Sequence, residues 1–82
     1  MICVYTKPGC QRCNATFRRF ANLDCEVVAC DIDDNDDARL EAEKLGYVEL
    51  PIVAVYNNKQ ELLESWSGFR PDAIDDLVSR RF

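Results

Sequence analysis

The chain contains no histidine, and its longest apolar run, Ile52 to Tyr56, spans only five residues. A membrane-spanning helix needs about 20 apolar residues, so the sequence predicts no membrane span. Structural zinc sites usually take four ligands from cysteine and histidine. Without histidine, and with Cys3, Cys25 and Cys30 in strand-like segments, a zinc site or iron–sulfur anchor is disfavoured. We therefore predict that no metal is bound.

Acidic residues are missing from residues 1–23, and all fifteen of them lie between Asp24 and Asp76. The net charge of −5 disfavours a nucleic-acid-binding surface. Four cations make the start of the chain its only basic part: Lys7, Arg12, Arg18 and Arg19. For Arg18 and Arg19 a plain solvated helix face is an equally good interpretation, because exposed charges usually contribute little.

The 82 residues make one small domain, spanning residues 1–82, without repeats or low-complexity tracts. Strand-like sequence begins at Ile2, which leaves no room for a secretion signal with a basic and an apolar region. Five cysteines, an odd number, also fit poorly with a secreted disulfide framework. We expect a cytoplasmic protein.

Two thiols three residues apart, Cys10 and Cys13, follow the predicted strand Ile2 to Thr6 and precede a predicted helix, Asn14 to Leu23. If Cys10 lies in the first turn, both sulfurs share one helix face, because residues i and i+3 are neighbours there. Their Cα atoms are then roughly 5 to 5.5 Å apart, inside the ~4.4–6.8 Å window of a disulfide. The pair can open and close with little backbone movement.

The same position makes Cys10 the predicted nucleophile. A helix N-terminus carries unpaired N–H groups and partial positive charge, which favour a thiolate. Lys7 and Arg12 add full positive charges and are predicted to stabilise that thiolate. Cys13, one turn further and more buried, is predicted to be the resolving thiol. For Lys7, a solvated turn lysine is an equally good interpretation.

The other cysteines, Cys3, Cys25 and Cys30, are interpreted as small buried or half-buried hydrophobic residues. Cys25 and Cys30 lie in one extended segment, roughly 16 Å apart at ~3.3 Å per residue, so they cannot bridge each other.

The acidic stretch 31–37 holds five aspartates, which raises the alternative of a calcium loop. The EF-hand pattern requires a central glycine, yet none occurs before Gly46. We favour Asp36 and Asp37 as the cap and first turn of a helix.

Hydrophobic periodicity and turn residues predict the order β-α-β-α-β-β-α. The first two strands should be parallel and the last two an antiparallel hairpin turning at Asn57-Asn58, giving a mixed four-stranded α/β sheet flanked by three helices. The later predicted elements are a strand from Glu26 to Ile32, a helix from Asp37 to Leu45, a strand after Pro51, a strand from Lys59 to Trp66, and a helix from Pro71 or Asp72 to Arg80.

Three stretches together resemble the NrdH redoxins, glutaredoxin-like proteins with thioredoxin-like activity: Tyr5-Thr6-Lys7-Pro8-Gly9-Cys10-x-x-Cys13, Leu50-Pro51, and Trp66-Ser67-Gly68-Phe69-Arg70-Pro71-Asp72. The resemblance implies the thioredoxin fold, with Pro51 as its cis-proline facing the disulfide. It also implies substrate binding at Leu50, Pro51, Trp66, Ser67, Gly68 and Phe69, although packing is the stronger interpretation for the two aromatic residues.

The resemblance further implies a monomeric dithiol–disulfide oxidoreductase with no bound cofactor, which carries electrons from NADPH through thioredoxin reductase to class Ib ribonucleotide reductase. Relatives use glutathione poorly, and here Ser67-Gly68-Phe69 replaces the paired glycines with which glutaredoxins bind it. The dipeptide Gln11-Arg12 departs from the relatives, which often carry an apolar residue followed by glutamine. A glutathione-dependent glutaredoxin is the alternative, and a non-enzymatic metal-binding module is less favoured.

Overall fold

The described part of the chain forms seven elements in the order that the sequence predicts. The computed structural model describes residues 1–81. The elements are β1 (Ile2–Thr6), α1 (Gln11–Asn22), β2 (Val28–Asp31), α2 (Asp36–Lys44), β3 (Ile52–Tyr56), β4 (Leu62–Ser67) and α3 (Pro71–Arg81).

The four strands form one mixed sheet in the order β2-β1-β3-β4. β1 pairs with β2 in parallel and with β3 antiparallel, and β3 and β4 form the predicted antiparallel hairpin. β1 and β3 are the two central strands and are buried on both faces, which explains why both are almost continuously apolar. The predicted α/β fold class is confirmed.

Helices cover both faces of this sheet. On one face α1 and α3 pack against the central strands, with Phe20 and Ile74 fully buried beside Val4 and Val53. On the other face the small residues of α2 pack over Tyr5. Among the residues that the structure describes, no helix is long and apolar enough to cross a bilayer.

The start of α2 corrects one prediction. Asn35, rather than Asp36 or Asp37, is the N-cap, and its side-chain oxygen accepts a hydrogen bond of 3.1 Å from the Ala38 N–H. The two aspartates lie in the first turn, where they face the positive end of the helix dipole.

The β3–β4 turn corrects a second prediction, that of a tight turn at Asn57-Asn58. The positive φ of 62° falls on Gln60 rather than on Asn57 or Asn58. The Asn57 side chain accepts hydrogen bonds from the Lys59 and Glu61 N–H groups, at 2.8 and 3.0 Å. The loop is therefore longer than a two-residue turn, and β4 begins only at residue 62.

An ion pair joins α1 to α3 on the first face. The Arg19 guanidinium donates to both carboxylate oxygens of Asp75, and its Nε lies 2.8 Å from Oδ1. These hydrogen bonds, with the attraction of the positive charge, hold the pKa of Asp75 below its ordinary value of 3.8. Arg19 is therefore a paired residue, although its side chain remains 41% exposed.

The Arg19–Asp75 pair should make the free energy of unfolding fall more steeply as the pH is lowered. A carboxyl whose pKa is lowered by folding stabilises the protein fully above its unfolded pKa, and the contribution is lost as the pH falls through the lower, folded pKa. We expect Asp75→Asn to lose less stability than the wild type between neutral pH and the region below 3.8. Urea unfolding across that range measures it. Asp34→Asn, at an exposed carboxylate, is the control, and an equal slope in wild type and Asp75→Asn would contradict the prediction.

Candidate active site

The Cys10 and Cys13 sulfurs are joined in a disulfide at the start of α1. Cys10 is the N-cap, and its sulfur accepts a hydrogen bond of 3.3 Å from the Cys13 N–H. The Cα atoms lie 5.2 Å apart, within the predicted range. Cys10 is half-buried, whereas Cys13 has no exposed surface. Only Cys10 can therefore be approached from solvent.

A three-residue turn carries the chain from β1 to this helix end. Thr6 ends β1, and Lys7, Pro8 and Gly9 are all exposed. Gly9 has a φ of 78°, a left-handed conformation that glycine adopts without steric cost. The apolar strand thus ends buried in the sheet, and the turn brings Cys10 to the surface.

The two predicted thiolate-stabilising cations differ in their surroundings. Lys7 is exposed and lines the same groove as Cys10. The Arg12 guanidinium instead forms an ion pair with the Glu49 carboxylate on the opposite side of that groove. Glu49 therefore offsets much of the charge of Arg12. Sequence reasoning missed Glu49, whose only signal was its position two residues before Pro51.

The groove beside the disulfide has a volume of about 740 Å³ and lies between the first turn of α1, the side of α2 and the loop 47–50. Val48 is fully exposed on this loop, and Leu50 is half-buried in the groove wall. The charged lining residues are of both signs: Lys7, Arg12, Asp33, Arg39, Glu43 and Glu49. The surroundings of the disulfide are therefore mixed in charge, although the N-terminal sequence around it is basic.

The end of β4 braces the loop that faces the disulfide. The Leu50-Pro51 bond is cis, as the family resemblance implies. The Ser67 hydroxyl donates to the Glu49 carbonyl oxygen at 2.5 Å, and the Gly68 N–H donates to the Pro51 carbonyl oxygen at 2.8 Å. Gly68 has a φ of 86°, a conformation that disfavours other residues. Ser67 and Gly68 thus hold Leu50 and Pro51 in place.

Comparison with known proteins agrees with this geometry. The glutaredoxin family model matches residues 2–60. The glutaredoxin-like protein NrdH of Escherichia coli K12 is 33% identical over 93% of this chain and 86% of its own length. The chain belongs to the glutaredoxin family and, within it, to the NrdH redoxins.

Other relatives extend the comparison. The Gene 56 protein of Mycobacterium phage L5 is 28% identical over 94% of this redoxin and 71% of its own length. The solved structure of NrdH-redoxin from Escherichia coli superimposes with a TM-score of 0.78, at 33% identity, covering 93% of this chain and 92% of that one. Mitochondrial thioredoxin 3 from Saccharomyces cerevisiae gives a TM-score of 0.74 at 18% identity, covering 96% and 76%, and shows the shared thioredoxin fold.

The structure does not bring every predicted substrate-binding residue of this redoxin to the groove. Trp66 is 6% exposed and packs on the sheet face covered by α1 and α3. Phe69 follows Gly68 and is 38% exposed. Ser67 and Gly68 act on the groove through their hydrogen bonds to the loop. Of the predicted set, Leu50 is the residue whose side chain lines the groove.

No cluster of three or more potential metal ligands occurs in the part of this redoxin that the structure describes. In the acidic stretch, Asp31 accepts a hydrogen bond from the Asp33 N–H at 2.8 Å, and Asn35 caps α2. The similarity to NrdH and the Cys10–Cys13 disulfide show that this redoxin is a disulfide oxidoreductase.

Proposed function

We propose that this redoxin reduces disulfides in other proteins by dithiol exchange, with Cys10 as nucleophile and Cys13 as resolving thiol. The observation that carries the proposal is the pairing of a half-buried sulfur, hydrogen-bonded to a backbone N–H, with a fully buried one in bonding distance. In the reduced protein the same N–H and the helix N-terminus favour the Cys10 thiolate. Lys7 adds positive charge from the turn before the helix, and Arg12 contributes less because Glu49 pairs with it.

The exchange proceeds in two steps. The Cys10 thiolate attacks one sulfur of the partner disulfide, the partner S–S bond breaks, and the second partner sulfur leaves as a thiolate. The Cys13 thiol, having lost its proton, then attacks Cys10 in the mixed disulfide. The Cys10–Cys13 bond closes, and the first partner sulfur leaves as a thiolate. Two electrons have moved to the partner.

The groove supplies a place for the partner chain. The substrate segment lies beside Leu50 and the backbone at Pro51, whose side chain is buried, and the Ser67 and Gly68 hydrogen bonds fix the position of that loop. Phe69, partly exposed beyond Gly68, contacts the partner at the edge. Trp66 contributes indirectly, because its packing in the core anchors the end of β4.

The electron acceptor that we propose is class Ib ribonucleotide reductase, and the donor is thioredoxin reductase, which takes electrons from NADPH. Support comes from the similarity to NrdH and from the Escherichia coli NrdH-redoxin structure, which is described as explaining a thioredoxin-like activity profile. Reversible dithiol chemistry of this kind suits a monomer in the reducing cytoplasm.

A coupled assay separates this function from that of a glutathione-dependent glutaredoxin. NADPH oxidation is followed with the redoxin and a protein disulfide, in one arm with thioredoxin reductase and in the other with glutathione and glutathione reductase. We expect faster turnover with thioredoxin reductase. The reverse order would contradict the proposed donor and favour the glutaredoxin alternative. The match of the glutaredoxin family model to residues 2–60 is the reason for testing that alternative.

A further inference from the structure

A second pair of cysteines lies in the sheet, away from the active-site disulfide. In the parallel pairing of β1 with β2, Cys3 is opposite Val28 and Tyr5 is opposite Cys30. Cys3 and Cys30 are therefore diagonal neighbours on adjacent strands. Both side chains belong to the cluster on the α2 face of the sheet.

The two cysteines are neighbours that differ in exposure. They are close enough for Cys30 to raise the pKa of Cys3. Cys3 is 6% exposed and lines a cavity of about 350 Å³ with Tyr5, Glu41 and Tyr56, whereas Cys30 is half-buried. The pair thus combines one half-buried cysteine with one buried cysteine, as at the active site.

We propose that Cys3 and Cys30 form a second redox-active dithiol, which hydrogen peroxide oxidises to a disulfide between β1 and β2. The Cys30 thiolate attacks one peroxide oxygen, the O–O bond breaks, and the other oxygen leaves as water, giving a sulfenic acid. The Cys3 sulfur then attacks Cys30, the S–O bond breaks, and a second water leaves. The peroxide gains the two electrons that the thiols lose.

The order of these steps follows from the surroundings of the two sulfurs. Burial, then the neighbouring Cys30, raises the pKa of Cys3 to about 11, so Cys3 is a poor first nucleophile. It serves instead as the resolving group. Closure requires a local shift of β2 along β1, because Cys3 and Cys30 are diagonal rather than opposite, and β2 is a four-residue edge strand that pairs with β1 alone.

The test begins with wild-type protein whose Cys10–Cys13 disulfide is already formed. After graded peroxide, the protein is unfolded, alkylated with N-ethylmaleimide and weighed intact. Compared with untreated protein, we expect a mass that is lower by two hydrogen atoms and by the labels on Cys3 and Cys30. Cys25 should be the one cysteine that still carries a label. Cleavage after Glu26 separates Cys25 from Cys30, so the linked peptides identify the pair.

Matched variants decide between this pair and others. Cys25→Ala, on the opposite face of the sheet, should still lose two hydrogens, whereas Cys30→Ala should leave Cys3 free to be alkylated. Oxygen atoms accumulating on Cys30 while Cys3 remains alkylated would overturn the proposal. A bridge from Cys25 to either thiol would also overturn it.

Discussion

Replacing Cys10 by serine is expected to lower the rate of protein disulfide reduction by at least about 1,000-fold, because the attacking thiolate is removed. A serine hydroxyl at the same helix end does not ionise near neutral pH. The measurement is insulin reduction with dithiothreitol as the electron source. This choice makes the result independent of which reductase serves the redoxin in the cell.

Cys13→Ser should behave differently from Cys10→Ser. It retains the nucleophile but cannot resolve the mixed disulfide, so a covalent adduct with the partner should accumulate. Cys25→Ser, whose sulfur lies in the core on the α1 and α3 face, is the control and should keep its activity. Full activity in Cys10→Ser, or an adduct formed by Cys10→Ser, would refute the assignment of the nucleophile.

The second large effect concerns the core. Phe20→Ala is expected to lower the free energy of unfolding by about 3–5 kcal/mol, because the ring is fully buried between α1 and the sheet and its removal leaves a cavity. Small domains have only about 5–15 kcal/mol of stability, so much of it should be lost. Urea unfolding followed by the fluorescence of the buried Trp66 measures the change.

Phe69→Ala provides the matched control, since it removes the same ring from a position that is 38% exposed. A surface substitution of this kind should change the free energy of unfolding by less than about 1 kcal/mol. Equal losses in the two variants would show that α1 is not anchored through Phe20.

Local patterns allowed most of the fold to be predicted. β3 is a short apolar run after a proline, and α3 carries its apolar residues Ile74, Leu77 and Val78 on one face. The spacing of Cys10 and Cys13 fixed their proximity, because residues i and i+3 meet on any helix. These features depend on neighbours in sequence and therefore need no knowledge of the tertiary structure.

Contacts between distant residues could not be predicted in the same way. Arg12 and Glu49 are 37 positions apart, and Arg19 and Asp75 are 56 positions apart, so their pairing depends on how the helices and loops pack. The proximity of Cys3 and Cys30 depends on the register of β1 with β2. Similarly, several adjacent polar residues were possible caps for α2, and only the backbone geometry distinguishes Asn35.

The hydrogen bond from the Cys13 N–H to the Cys10 sulfur places a limit on how strongly this protein can give up electrons. Any interaction that lowers the energy of the thiolate also stabilises the reduced, dithiol form. The disulfide is then easier to reduce, and the dithiol is a weaker reductant. Glu49 pairs with Arg12 and is expected to restrain the contribution that we propose for Arg12 to this effect. Quick attack and strong reducing power thus oppose each other, and their balance is set within the first turn of one helix.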